Sequence, residues 1–324
     1  MATPLAKIGI ISIGDMGVGI ARLLVANGFS VATNCAGRSK DTIERAKSAN
    51  VELYKTDEDL VSACDVLLSV VPPRDAVATA SRIADAVWTV GTGSPLYFAD
   101  LNALAPSTTR SIAALFEKRE RTRTRVRFID GAIIGGPPSL QEANSGKESG
   151  WNVPSIPLSG PHKLSSIPVY GARLASTLNT RHISDEIGAA SGLKMCFASL
   201  TKGFISIAIQ SFSTAGRLGV LDELRDEFSR FSPAHWTVAE RGVTSMAPKA
   251  YRWVAEMEEI ATTFDEEAGF ARDMFRGVAG VYRTVAEDTV LGQEKVGSRK
   301  RGLDVADMAA AMAEGIQNER KKND

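Results

Sequence analysis

A glycine-rich turn near the N-terminus, within residues 8–21 (Ile-Gly-Ile-Ile-Ser-Ile-Gly-Asp-Met-Gly-Val-Gly-Ile-Ala), constrains this chain most. An apolar run that begins near Leu5 ends in closely spaced glycines, and a helical pattern follows. A strand, a tight turn and a helix in this order let backbone N–H groups approach a diphosphate. Gly14 and Gly17 stand where a dinucleotide fingerprint needs its second and third glycines, and Ser12 replaces the first. An ordinary βα turn with glycines is the alternative interpretation. The residues predicted to contact a cofactor diphosphate are Ser12, Ile13, Gly14, Asp15, Met16 and Gly17.

The segment after the second predicted strand, residues 30–34, favours NADP over NAD. In NAD binders, an acidic residue about 20 positions beyond the glycines holds the ribose 2′-hydroxyl. Here that region contains Arg38 and Ser39, and its first carboxylate is Asp41. A guanidinium binds a 2′-phosphate in a bidentate way, and a hydroxyl can donate to it. A solvated loop with chance basic residues is the alternative.

Alternating strand and helix patterns continue to about residue 184, and only helical patterns follow. The sequence therefore predicts an α/β fold, an N-terminal Rossmann-type doubly wound sheet in domain 1–184, followed by an all-α domain, 185–324. The apolar run 65–71 is typical of a buried parallel strand, and the prolines after it end that strand. Val71 and Pro72 should border the cofactor, because open α/β sheets bind ligands at the carboxyl ends of their strands.

Four local predictions can be compared with the structure. Asp57 should cap a short helix ending near Ala63. The charge-rich run 118–127 should be a helix end and a solvated strand entry, with an acidic partner as the alternative. Residues 139–155 should form a long surface loop. A helix should cover residues 163–178.

Composition excludes several classes of protein. The 324 residues contain 38 basic and 38 acidic side chains, which argues against a nucleic-acid binder. We expect no membrane span, since no uninterrupted apolar run reaches about 18 residues. The N-terminus has no signal-peptide pattern, and three scattered cysteines suit a reducing, cytoplasmic location. Neither the cysteines nor the three histidines have metal-ligand spacing, so no metal site is expected.

A lysine in the segment 187–202 is the candidate for proton transfer. Small residues from Gly188 to Gly192 allow close approach of a backbone or a cofactor ring, and Lys194 follows them on an apolar helix face. Desolvation there would lower the pKa of Lys194 and suit general acid/base work. Lys202 lies eight residues further on and can share this face. The alternative is that both lysines extend to solvent from a packed helix.

Four motifs in order resemble the 6-phosphogluconate dehydrogenase-like, β-hydroxyacid dehydrogenase superfamily. They are the glycine turn 9–17, the segment 100–106 (Asp-Leu-Asn-Ala-Leu-Ala-Pro), the loop 130–136 (Asp-Gly-Ala-Ile-Ile-Gly-Gly) and the segment 188–194. The helical half, especially 249–260, resembles an uncharacterised branch with a phosphogluconate dehydrogenase-like C-terminal domain. The resemblance implies Lys194 as catalytic residue and Asn102 near the nicotinamide. The substrate contacts that it implies are Ile134, Gly135, Gly136, Lys202 and Lys249.

Three residues depart from the family pattern. Ser12 replaces a glycine of the fingerprint, and Ile134 replaces the serine of the substrate loop. Ala198 stands four residues after Lys194, where the pattern has asparagine. Two polar substrate contacts are thus missing, and we expect a less polar substrate than a simple hydroxyacid.

The first functional hypothesis is an NADP-dependent oxidoreductase that acts on a small carbonyl or hydroxy substrate, β-hydroxyacid-like, with Lys194 as general acid/base. The second is an imine reductase that reduces C=N bonds. The third is a non-catalytic NADP-binding redox sensor or scaffold. The apolar stretch 204–209 would be hard to cover in a lone helical domain, so we expect a homodimer.

Overall fold

The computed structural model describes residues 4–91, 94–118, 126–141, 150–295 and 297–323. The chain forms two compact units, Met1–Lys194 and Met195–Asp324. The predicted domain limit at residue 184 lies at the end of the last strand, whereas the two units divide ten residues later, inside a long helix.

The first unit is built on an eight-stranded sheet with the order β10-β9-β6-β5-β4-β1-β2-β3. All neighbours pair in parallel except β6 and β9. The order 3-2-1-4-5-6 of its first six strands confirms the predicted doubly wound sheet, and the strand order reverses between β1 and β4. The strands are β1 Lys7–Ile11, β2 Ser30–Asn34, β3 Glu52–Tyr54, β4 Val66–Ser69, β5 Leu96–Asp100, β6 Val126–Gly131, β9 Ile156–Ser159 and β10 Thr180–Ser184.

Helices cover both faces of this sheet, as the continuous apolar strands require. In β4, Val66 and Leu68 join one buried apolar cluster and Leu67 joins the other, because successive side chains point to opposite faces. The rings of Phe98, Phe116 and Phe128 pack together in the second cluster. The helices are α1 Asp15–Ala26, α2 Lys40–Ser48, α3 Asp57–Ala63, α4 Pro73–Val90, α5 Pro106–Lys118 and α6 Gly171–Thr177, and α7 Ala189–Leu218 begins in this unit.

Two local predictions in this unit are wrong. Asp57 does not cap α3. The cap is Thr56, whose hydroxyl accepts a hydrogen bond from Asp59 N, and Asp57 is the first helical residue. The helix predicted over 163–178 is interrupted, because Pro168 cannot continue a hydrogen-bonded helix. A 3₁₀ turn at Leu164–Ser166 precedes this proline, and α6 begins only at Gly171.

The segment predicted as a plain loop, residues 139–155, contains a small antiparallel pair of strands. The strands β7 Ser139–Gln141 and β8 Gly150–Asn152 pair with each other outside the main sheet. Three-residue strands are too short for an alternating pattern to stand out in the sequence. Most of the charge-rich run 118–127 lies outside the described residues.

The second unit contains helices only among its described residues, as predicted. The remainder of α7 is followed by α8 Leu221–Phe231, α9 Pro233–Ser245, α10 Ala250–Ala268, α11 Asp273–Arg283 and α12 Val305–Asn323. Gly269 ends α10 with a φ of 74°, where glycine avoids the steric cost of a side chain. Asp304 caps the last helix, since Asp307 N donates to Asp304 Oδ1 at 2.8 Å.

Helix α7 is 30 residues long, and its most apolar 18-residue window has a mean hydropathy of 1.3. By length and composition alone it could cross a membrane, and 39% of that window is buried inside the protein. The core helix of a soluble protein meets the same criterion, so α7 by itself is weak evidence for a span.

Candidate cofactor and proton-transfer site

Parallel strands bring most of the predicted site residues of the first unit to one edge of the sheet. Ile11, Ser69, Asp100 and Asp130 are aligned across β1, β4, β5 and β6, near the carboxyl end of each strand. The glycine turn, Val71 with Pro72, Asn102 and the 134–136 loop follow these four strands. Arg38 and Ser39 follow β2 at the same edge. This edge, at the strand-order reversal, is where open α/β sheets bind ligands.

The glycine turn has the backbone geometry of a diphosphate cradle despite its serine. Ser12 has a φ of 80°, the left-handed conformation that a glycine would adopt freely. A Cβ on Gly17 would lie 2.1 Å from the Ser12 carbonyl oxygen, so only glycine fits there. The departure at Ser12 therefore leaves the turn intact.

The N-terminus of α1 is open. Gly14 is its N-cap, no side chain caps the helix, and the space where a Gly14 Cβ would lie has no atom within 4 Å. Arg45 Nη1 donates to the Ile13 carbonyl at 2.9 Å and fixes the turn from the side of α2. An uncapped helix N-terminus, at which a glycine lets an anion come close to the backbone N–H groups, is the kind of site that binds a dinucleotide diphosphate. These residues therefore fit the cofactor.

The carboxyl end of β2 has an amide where NAD binders have an acid. Asn34 Nδ2 donates to Asp57 Oδ1 at 2.8 Å, and Asp57 pairs with Arg82 at 2.5 Å. Arg38 is exposed just beyond this end. Ser39 is the N-cap of α2, and its hydroxyl accepts from Thr42 N at 3.3 Å. The Asp57 carboxylate at this end is thus paired, and the exposed Arg38 guanidinium stands beside a helix N-terminus.

Asn102 links the ends of β4 and β5. Its Oδ1 accepts from Val71 N at 2.7 Å, and its Nδ2 donates to Ser69 Oγ at 3.1 Å. Asn102 is 3% exposed and Val71 is buried, while Pro72 is half-buried as the N-cap of α4. The Asn102 amide therefore shapes the wall of the predicted nicotinamide site. Contact of Asn102, Val71 or Pro72 with a cofactor stays a prediction.

Two buried carboxyl groups lie side by side at this edge, since Asp100 and Asp130 are register partners. Asp100 Oδ1 accepts from Asn102 N at 3.0 Å, and its Oδ2 is buried with no hydrogen-bond partner among the described residues. The pKa of Asp100 is raised to about 7, mainly by burial and also by the charge of Asp130, while the hydrogen bonds with Asn102 oppose the increase. Asp100 thus takes up a proton more readily than an ordinary aspartate.

Asp130 is completely buried and holds the beginning of α7. Its Oδ1 accepts from Ser191 Oγ at 2.6 Å. Its Oδ2 accepts from Ser159 Oγ at 2.7 Å and from the backbone N–H groups of Gly188, Ala190 and Ser191 at 2.8, 3.2 and 3.3 Å. The carboxylate therefore does for α7 what a capping side chain would do.

Lys194 is one turn further along α7 and points back to the loop after β6. Its Nζ donates to the Ile133 carbonyl at 2.8 Å, and its side chain is half-buried. Beside Ile133, the backbone of Ile134 exchanges two hydrogen bonds with Ser155 at 2.8 and 2.9 Å. Gly135 follows with a φ of 127°, and no atom lies within 4 Å of the position that a Cβ on Gly136 would take. The structure thus brings Lys194 to the 133–136 loop.

The two remaining predicted substrate residues lie in the second unit. Lys202 Nζ forms an ion pair with buried Glu256 and lies 4.8 Å from the centroid of the Trp253 ring. Tyr282 OH donates to the Lys202 carbonyl at 2.6 Å. This is the environment of a structural ion pair. Lys249 ends a 3₁₀ turn directly before α10. Their contact with a substrate stays a prediction.

The sequence interpretation missed the residues that support the site. Arg45, Ser159 and Ser191 hold the glycine turn and α7, and Asp130 was noted only as part of a motif. The motif that contains Asp130, residues 130–136, was visible after an apolar strand. The hydrogen-bond partners of Asp130, however, lie about 30 and 60 positions further along the chain. Among the described residues, no group of three or more His, Cys, Asp or Glu could hold a metal ion.

The sheet order and the glycine turn define the class of dinucleotide-binding Rossmann proteins. Comparison with known families is more specific. Residues 7–151 match the NAD binding domain of 6-phosphogluconate dehydrogenase, and residues 215–285 match a domain of unknown function, DUF1932. The chain therefore has an NAD binding domain of the 6-phosphogluconate dehydrogenase type, followed by a DUF1932 domain.

Three known proteins illustrate what this chain is similar to. A curated relative, an uncharacterized 28.5 kDa protein of Methanothermus fervidus, is 27% identical over 219 residues, 67% of this chain and 74% of the relative. A 3-hydroxyisobutyrate dehydrogenase of Salmonella typhimurium is 18% identical with a TM-score of 0.64, covering 94% of this chain and 99% of its own. An imine reductase variant of Myxococcus stipitatus, solved with NAD⁺, is 16% identical with a TM-score of 0.53, covering 95% and 99%. At these identities the solved structures show a shared fold.

Proposed function

We propose that this protein is an NADP-dependent oxidoreductase that transfers a hydride to or from a small carbonyl or hydroxy substrate of the β-hydroxyacid type. One observation carries the proposal. The uncapped N-terminus of α1 and the amine of Lys194 both belong to the carboxyl edge of one sheet. Bound there, the nicotinamide cofactor would supply or accept the hydride, and the chain would supply the proton.

The cofactor would be held by three parts of this edge. The diphosphate would lie against Gly14 and the first turn of α1. The 2′-phosphate would lie against Arg38 and the N-terminus of α2. Asn34 supports NADP over NAD, because its amide stands at the β2 end where NAD binders have an acid, and the carboxylate that it contacts, Asp57, is paired with Arg82.

Lys194 would move the proton. An ammonium has three donor hydrogens, and the Ile133 carbonyl takes one, so the others remain available for a substrate oxygen. In the direction of reduction Lys194 would donate to the forming alkoxide, and in oxidation its neutral amine would accept the alcohol proton. Such catalysis is worth about 10²–10⁴-fold in rate.

Reduction of a C=N bond is the second candidate, and Ile134 favours it. This apolar residue stands beside Ile133, where the family resemblance places a serine. A site with fewer polar groups suits an apolar cyclic imine better than a hydroxyacid, whose oxygens need hydrogen-bond partners.

The test is NADPH oxidation by the purified protein with two panels, small β-ketoacids and cyclic imines. Turnover on one panel identifies the substrate class. We expect Lys194→Ala to lower kcat by about 10²–10⁴-fold, and the exposed-lysine control Lys163→Ala to keep wild-type kcat. Unchanged turnover in Lys194→Ala would refute the role of Lys194. Tight NADPH binding with no turnover on either panel would refute the enzyme and favour a sensor.

We also propose a homodimer. Phe197, Leu200 and Ile207 on α7 are 43%, 77% and 50% exposed, and apolar side chains in such a row are typical of interfaces. Light scattering at micromolar concentration should give twice the chain mass, and Leu200→Glu should halve it. A monomeric wild-type protein would contradict this.

A further inference from the structure

The carboxylate of Asp130 has an unusual set of partners. Five donors converge on its two oxygens, the hydroxyls of Ser159 and Ser191 and the three backbone N–H groups at the start of α7. Asp130 is 0% exposed, so water does not compete for these bonds. Charge-assisted hydrogen bonds in a buried setting are the stronger kind and hold their partners in one geometry.

These bonds fix the part of α7 that carries Lys194. Ser191 precedes Lys194 by three residues and Ala190 by four, so both lie one helical turn below it. The acceptor of Lys194, the Ile133 carbonyl, is three residues beyond Asp130 on the same strand and loop. The segment 130–133 therefore contacts α7 at two points. The side chain of Asp130 binds the start of the helix, and the carbonyl of Ile133 accepts from Lys194.

We propose that Asp130 is a positioning residue for Lys194, which sets the height and rotation of α7 so that the lysine amine meets the Ile133 carbonyl. This inference rests on the proposed function, in which that amine transfers the proton. Asp130 itself touches neither substrate nor cofactor in this account.

The role requires a carboxylate. An asparagine at this position would keep one acceptor oxygen but lose the charge that strengthens these bonds, and its NH₂ group would replace the oxygen that accepts from the Ser191 hydroxyl. Neighbouring Asp100 differs from Asp130 in its hydrogen-bond partners. Of the two buried carboxyl groups, Asp100 lacks a partner for Oδ2 and has its pKa raised to about 7 by burial, while Asp130 receives all five donors.

The first test needs no substrate. Trace acetic anhydride is added to the full-length protein, and acetylation of individual lysines is measured by peptide mass spectrometry. We expect Lys194 to react severalfold faster in Asp130→Asn than in wild type, because its amine leaves the Ile133 carbonyl. Exposed Lys163 is the internal reference. The control Glu186→Gln removes an exposed carboxylate from the same segment and should leave the Lys194 rate unchanged.

The second test is a double-mutant cycle on kcat with the substrate class found above. Misplacing a catalytic group by about 1 Å can cost about 10²-fold. We expect Asp130→Asn to lower kcat to that extent with little change in KM, and to have no further effect in the Lys194→Ala background. Additive effects would overturn the proposal, because Asp130 would then act without Lys194.

The outcomes separate this inference from the proposed function. If Lys194→Ala keeps full activity, the proposed function fails, yet faster acetylation in Asp130→Asn would still show that Asp130 positions the lysine. If Lys194→Ala is inactive and the acetylation rate does not change, only the present inference fails. Should Asp130→Asn not fold, Ser191→Ala, which removes one donor and keeps the carboxylate, must raise the Lys194 rate, or the proposal is wrong.

Discussion

Two helix N-termini at the same sheet edge are treated in opposite ways. The first turn of α1 is left uncapped, with a glycine at its N-cap and free space beside it. The first turn of α7 is filled by the buried carboxylate of Asp130. Both ends carry the partial positive charge of a helix dipole. The comparison shows that one of these charges is left accessible, at the diphosphate site that we propose, while the other is neutralised internally, one turn before the lysine of the proposed proton transfer.

The largest expected effect comes from making α1 resemble α7. Gly14 has φ −74° and ψ −169°, which any residue can adopt, and its side-chain space is open. Gly14→Asp should therefore cap α1 and stabilise the protein by about 1 kcal/mol. The same carboxylate should repel the cofactor diphosphate, by about 4 kcal/mol for charges 4 Å apart near a surface, which is about 10³-fold in Kd. Urea unfolding and NADPH titration measure the two effects.

Gly14→Asn is the matched control, because it caps the helix without a full charge and should weaken NADPH binding much less. A Gly14→Asp protein that binds NADPH as tightly as wild type would show that the end of α1 is not the diphosphate site.

The second effect concerns Asp100, the carboxyl group without the partners of Asp130. Its pKa is raised from 3.8 to about 7 in the folded protein. Between these values the folded state keeps a proton that the unfolded chain has released, so stability falls as pH rises from about 4 to 7. The full loss is at most about 4 kcal/mol. Asp100→Asn should flatten the pH dependence of urea unfolding between about pH 4 and pH 7. An unchanged slope would contradict the burial of an ionisable Asp100.

The smallest effect is expected at Ser12. A residue with a side chain in the left-handed region destabilises the folded state by about 1–2 kcal/mol. Replacing it with glycine removes this cost but lowers stability by about 0.5–1 kcal/mol, because glycine makes the unfolded chain more flexible. Ser12→Gly should therefore stabilise the protein by up to about 1 kcal/mol and keep NADPH binding. Ser12→Ala retains the strained backbone and should show no gain. A destabilised Ser12→Gly would mean that the hydroxyl, and not the backbone, matters in this turn.

Much of the fold was predictable from local pattern. Strand β2 was predicted at its observed bounds, Ser30–Asn34, because an apolar run ends there at turn residues. Pro106 begins α5, where proline is favoured because its missing N–H has no partner in the first turn of a helix. The failures have local causes of another kind. Thr56 and Asp57 are both favourable N-cap residues, so the sequence alone does not decide between them, and the helix begins with Thr56 as its cap. The break before α6 follows from Pro168, which the helical periodicity on both sides concealed.

The site was predictable in its reactive groups and not in its supports. Motif and spacing indicated the glycine turn, Arg38 and Lys194. The acceptor of Lys194 is a backbone carbonyl, and no residue type marks a carbonyl in a sequence. The partners of Asp130 lie 29 and 58–61 positions away, so their contact depends on the order of strands in the sheet.

The measurement that tests the central claim most directly is fluorescence titration of NADPH and NADH into the wild-type protein and Arg38→Ala. A lost charge-assisted hydrogen bond costs about 1.5–3 kcal/mol, or about 10–100-fold in Kd. We predict that NADPH binds more tightly than NADH to the wild-type protein and that Arg38→Ala loses this preference through weaker NADPH binding alone. Binding of neither cofactor to the wild-type protein would contradict the account.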